Sequence, residues 1–232
     1  MLVWLLLAIG AAASLGILLV IAVLGAIVNL ITAEYQVRKV QALGATVSPD
    51  QLPEVHQALT RVCDCFGLRK DLRVVVVASG EANALSLRFA RKRVVVLLSE
   101  LLEGVIDDPD ALAALLAHEI CHSVMDHGIR GFFEVCKSAA YKAARELTCD
   151  NAGYLVTRNA AAVKTWLKIC CAGKHLHSRL SEPSLIAESL QIERGVTGWL
   201  VRSHLSYPPV GKRLRNIDEF ASLWEGTGFS PT

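Results

Sequence analysis

Charge is absent from the first 33 residues: no Asp, Glu, Lys or Arg precedes Glu34, and all 24 basic and 22 acidic side chains lie from Glu34 onward. A bilayer core of roughly 30 Å takes about 20 helical residues, and two spans with a turn would take more than about 40. The uncharged stretch therefore predicts one membrane-spanning helix and excludes two. Its surplus length goes into tilt, or into a helix that continues towards Arg38 and Lys39. Also lacking is any Lys or Arg ahead of the apolar run, which is about twice as long as the core of a signal peptide. Both features argue for an uncleaved anchor, although Ile31-Thr32-Ala33 has the small-residue character of a cleavage site. Only the terminal amine stands before the span, whereas Arg38 and Lys39 follow it, opposed by Glu34. The positive-inside rule then predicts a single-pass membrane protein with its N-terminus outside and its domain in the cytoplasm.

A strong charge imbalance is lacking too. The net charge of +2 provides no basic field, so nucleic acid is not expected as a partner. No C-x-x-C pair occurs among Cys63, Cys65, Cys121, Cys136, Cys149, Cys170 and Cys171, and their number is odd. That excludes both a zinc ribbon and a closed disulfide framework, and leaves thiols that behave as small buried hydrophobes in a reducing compartment. There is no internal repeat, low-complexity tract or long linker.

What is present divides into an anchor (1–33), a juxtamembrane linker (34–49) and one domain (50–232). The linker ends on Ser48-Pro49-Asp50, which looks like a helix start, and Leu52, Val55, Leu59, Val62 and Phe66 recur at helical spacing up to Gly67. The runs 72–78 and 93–98, rich in consecutive valines, predict buried strands. Between them Leu85, Leu87 and Phe89 alternate with Ser86 and Arg88, which predicts a half-solvated strand at a sheet edge. From residue 100 the chain reads as helical. One helix opens at Asp107-Asp108-Pro109-Asp110 and runs to about His127-Gly128. Others cover roughly 132–156 and 161–171, a loop spans 173–183, and Tyr207-Pro208-Pro209 leads into a last amphipathic helix. The fold class is α+β, mostly helical with a small sheet.

The chemistry is concentrated in His118-Glu119-Ile120-Cys121-His122. At about 100° per residue the two histidines lie roughly 40° apart, so both imidazoles reach one metal ion, with Glu119 beside them as a base rather than a ligand. A catalytic zinc site takes a third protein ligand. A third histidine in the metzincin position is excluded, because that position holds Gly128, and His127 falls on the opposite side of the helix. Glu146, on the next long helix, is the better candidate. Asp150, one turn further on, shares its face and is placed to accept a hydrogen bond from a ligating imidazole.

These residues carry a resemblance. Ala117 to His127, followed by Glu146-x-x-x-Asp150, resembles the gluzincin metallopeptidases of the heat-shock protease HtpX and CAAX prenyl endopeptidase family. So do Asn83-Ala84, Ser99 to Leu102 and Tyr207-Pro208-Pro209-Val210-x-x-Arg213, over roughly residues 50–220. The resemblance implies a zincin-like domain that hydrolyses peptide bonds with one zinc ion. It makes His118, His122 and Glu146 the ligands, Glu119 the general base and Asp150 their outer partner. It also makes Asn83 and Ala84 part of the strand along which a polypeptide substrate lies, an unfolded or membrane protein included. Tyr207 stands where the family carries His, which leaves the electrophilic helper open among Tyr207, His204 and Arg213. Only about 18 residues separate His127 from Glu146, as expected of a short, singly anchored form. A competing reading is a catalytically silent, membrane-anchored zinc-binding interaction protein, against which the intact Glu119 argues. Ala12-x-x-x-Gly16 offers a helix-packing face for assembly in the membrane. His175 and His177 offer a removable fourth ligand in a latent enzyme.

Overall fold

The computed structural model describes residues 2–68, 72–89, 92–125, 138–205 and 207–226. The first helix, α1 (Leu2–Leu43), takes in the apolar run and continues without a break past Arg38 and Lys39. Gly16–Leu43 is long and apolar enough to cross a membrane. The lower end of α1 packs on the sheet along one face: Val37 is buried against Val75, Val94, Val96 and Leu98.

The sheet contains β1 (Ala45–Thr46), β2 (Arg73–Val77), β3 (Ala84–Phe89) and β4 (Lys92–Leu98) in the order β1-β2-β4-β3. β2 and β4 are parallel, pairing Val74 with Val95 and Val76 with Leu97, while β3 folds back antiparallel on β4. Val74, Val95 and Leu97 face the main core, and their alternate neighbours face α1. Both faces of β2 and β4 are therefore covered, which explains their unbroken runs of valine. β3 lies at the edge, as its alternation predicts.

The remaining helices are α2 (Pro53–Cys65), α3 (Ser99–Val105), α4 (Pro109–Val124), α5 (Ala139–Thr157), α6 (Ala160–Ala172), α7 (Glu182–Ile192), α8 (Gly195–His204) and α9 (Val210–Gly226). The expected start of α2 at Ser48-Pro49-Asp50 is corrected. Those residues form a tight turn closed by paired backbone bonds between Ser48 and Gln51, and the helix begins at Pro53 behind Leu52, whose φ is +61°. Proline at the first helical position needs no donor of its own, so it sets the start. The two residues of β1 carried no periodic signal and were not expected as a strand. The loop expected over 173–183 contains a 3₁₀ turn at His177–Arg179 and ends where α7 starts. Residues 126–137, where the end of the 110s helix and the start of the next were expected, lie outside the described residues.

α4 runs through the middle of the domain, with every residue from Ala111 to Cys121 buried. It starts where the sequence predicts, because the Asp108 carboxylate accepts the amides of Asp110 and Ala111 and Pro109 fills the first turn. α5 lies against it, and a Cβ on Gly153 would sit 3.0 Å from the Ala114 carbonyl oxygen. A side chain there would push α4 back by a few tenths of an ångström, so glycine favours the close approach of the two helices that carry the candidate site. A two-residue turn then leads into α6, where Asn159 caps the helix through Ala162 and donates to Asp110 at the head of α4.

Candidate metal centre

One turn apart on α4, the rings of His118 and His122 bring their Nε2 atoms to 3.1 Å. Glu146 Oε2 on α5 lies 3.5 Å from each. His118 and Glu146 are buried, His122 is half-buried, and Glu146 Oε2 has no hydrogen-bond partner among the described residues. Donor atoms 2.0–2.1 Å from one tetrahedral zinc ion would stand about 3.3 Å apart. Two nitrogens and an orphaned carboxylate oxygen at 3.1–3.5 Å thus fit one ion. Among the described residues these three form the one group of histidine, cysteine and acidic side chains close enough to do so.

Behind the donors stands a second layer. His118 Nδ1 lies 2.9 Å from Asp150 Oδ1, and Asp150 has no exposed surface. Arg213, from the first turn of α9, donates to both oxygens of Asp150, Nε at 2.8 Å and Nη2 at 2.6 Å. Trp166 of α6 closes this side, its ring edge-on to His118 with centroids 4.9 Å apart and the Arg213 guanidinium 5.2 Å from its centre. A buried pair of this kind holds the fold as well as the site, since removing one partner leaves an uncompensated charge at a cost of roughly 3–5 kcal/mol.

The charges follow from these contacts. Burial opposes a proton on His118, but Asp150 and Glu146 outweigh it and raise its pKa to about 9. A proton and a metal ion would compete for Nε2 of His118, whose Nδ1 faces Asp150. Burial likewise opposes the charge on Glu146, yet His118 and His122 hold its carboxyl well below the usual range. Glu119 is affected in the opposite direction: burial pushes its carboxyl up, and the two imidazoles only partly offset this. A carboxylate held closer to neutrality suits a group that must accept and return a proton.

The other expected residues scatter around this cluster. Tyr207 is about half exposed, and burial followed by the charges of Glu146 and Glu119 raises its phenol pKa. Arg213 is committed to Asp150. His204 closes α8, and its side chain lies outside the described residues, as does the whole of His127. Asn83 is exposed and accepts the Ala84 amide on its own Oδ1, while Ala84 opens β3. Ser86 of β3 meets Ser123 of α4, one residue beyond His122, which brings the edge strand alongside the cluster. His175 is exposed, and His177 Nδ1 lies 2.8 Å from the Lys174 carbonyl oxygen; neither joins the three donors. Sequence reasoning missed Trp166, for which helical spacing signals only core, while Cys121 and Cys149 pack together as expected of small buried hydrophobes.

Residues 49–141 match Peptidase family M48. The match takes in His118, Glu119 and His122 and ends short of Glu146. The chain is similar to the plastoglobule-localized metallopeptidase 48, chloroplastic, of Arabidopsis thaliana, at 24% identity over 221 residues, covering 82% of this chain and 64% of that protein. The chain thus spans under two thirds of that relative's length. No solved structure matches.

Proposed function

From the M48 metallopeptidase character of residues 49–141, we propose that this chain is a membrane-anchored zinc endopeptidase that cleaves polypeptides, unfolded or membrane proteins among them. The single observation that carries the reading is the convergence of His118 Nε2, His122 Nε2 and Glu146 Oε2 with Glu119 buried beside them. Zinc, when held by these three side chains, supplies a Lewis acid that polarises a peptide carbonyl and makes water acidic enough to react near neutral pH. The Glu119 carboxylate takes the proton from the attacking water and passes it to the nitrogen of the departing amine. The Tyr207 phenol is the donor for charge developing on the carbonyl oxygen. Asp150 fixes the His118 ring through Nδ1, and Arg213 fixes Asp150; both position the site without touching substrate. The substrate backbone adds to the outer edge of β3 from Asn83 and Ala84 onward, which suits broad specificity because main-chain bonds demand no particular sequence.

Residues 1–33 form the anchor and 50–232 the catalytic domain, joined by 34–49, whose Val37 and β1 pack on the domain's own sheet. The domain lies on the cytoplasmic side, following Arg38 and Lys39. Cys65 is exposed whereas Cys63 is 2% exposed, so Cys65 is the reporter to use. In intact cells an impermeant thiol reagent should leave Cys65 unlabelled until the membrane is opened, and labelling from outside would reverse the orientation.

The function is tested with the full chain in detergent and an unfolded protein such as casein. Internal cleavage that stops with a chelator and returns with zinc is expected. A zinc-loaded chain that leaves casein intact would favour the silent zinc-binding reading.

A further inference from the structure

Each ligating imidazole has a second nitrogen, and the two are held differently. His118 Nδ1 faces a carboxylate, whereas His122 Nδ1 lies 3.3 Å from the sulfur of Cys149. Cys149 is on α5 with no exposed surface, and it packs beside Cys121, the residue before His122 on α4. Cys121 is 6% exposed, and the two thiols pack with Ala152 and Phe66 in a small cluster apart from the main core. The sulfur of α5 is thus wedged between two consecutive side chains of α4, immediately behind the donor atoms.

We propose that Cys149 is the positioning residue of His122, its sulfur accepting Nδ1–H so that Nε2 carries the free lone pair for the metal. The inference rests on the reading of His122 as a ligand. An imidazole that binds through Nε2 keeps its other proton on Nδ1, and the partner of that proton sets both ring angle and tautomer. With its S–H rotated away from the ring, Cys149 leaves a sulfur lone pair for the imidazole. A thiol is a weak, neutral acceptor, unlike the Arg213-paired carboxylate behind His118. The two imidazoles therefore differ at Nδ1: a charged network faces His118, and a thiol faces the more exposed ring of His122.

Three variants separate this role from simple packing. Cys149→Ser keeps an acceptor, Cys149→Val keeps volume without one, and Cys149→Ala keeps neither. Zinc affinity is measured on the full chain in detergent by competition with a chromophoric chelator, and the visible spectrum of added Co²⁺ reports the ligand set. Loss of an outer partner typically lowers metal affinity about 10- to 100-fold. That loss is expected for Ala and Val, with an altered Co²⁺ spectrum, whereas Ser should stay within a few-fold of the unaltered chain. Rescue by Val, an equal loss in Ser and Val, or unchanged affinity in Val would overturn the proposal. Should the Ala variant fail to fold, the Ser and Val pair still decides. No substrate enters the measurement, so a chain that binds zinc in this way and cleaves nothing would refute the peptidase reading alone.

Discussion

Glu119→Gln should abolish proteolysis while leaving the metal in place. Gln is nearly the same size and fills the same buried position, but its amide cannot take a proton from water. It also removes none of the three converging donor atoms, which belong to His118, His122 and Glu146. Loss of a general base lowers a rate by about 10²- to 10⁴-fold, or roughly 3–5 kcal/mol in barrier. Burial raises the Glu119 carboxyl, so the neutral amide should be tolerated without loss of fold. The checks are casein hydrolysis and zinc content on one preparation. Near-normal cleavage by this variant would remove Glu119 from the chemistry.

Glu146→Ala should lose metal and activity together. Its Oε2 is the only oxygen among the three donors, and it comes from α5 whereas both nitrogens come from α4. Two histidines alone form a weak site, because a catalytic zinc ion takes three protein ligands. Elemental analysis after dialysis against a mild chelator should find zinc in the unaltered chain and almost none in the variant. Unchanged zinc content would mean that another side chain supplies the third ligand.

How much of this was legible in the sequence depended on the distance over which each signal acts. His118, Glu119 and His122 could be read directly, because helix geometry alone places side chains four residues apart on one face. Glu146 and Asp150 followed by the same rule within α5. The edge position of β3 was legible in its alternation, and the burial of β2 and β4 in their lack of any. Arg213 was visible only as a motif residue of uncertain role. Its pairing with Asp150, 63 residues away, depends on how α9 packs against α5, which periodicity does not encode. The contact between Cys149 and His122 arises in the same way from the α4–α5 crossing, which Gly153 eases. α2 was misplaced at its start because Ser48-Pro49-Asp50 has the composition of a helix cap, and Pro53 overrode it. The order of the sheet, with β4 between β2 and β3, is a tertiary outcome that no local pattern announces.

The central claim is that one zinc ion held by His118, His122 and Glu146 makes this chain a peptidase. The direct measurement is the rate of casein cleavage by the metal-stripped full chain as zinc is titrated in. Cleavage should be absent without metal, rise in proportion to added zinc and level off at one equivalent per chain. Cleavage that persists in the stripped protein, or a chain that has taken up its equivalent and still leaves casein whole, would contradict it.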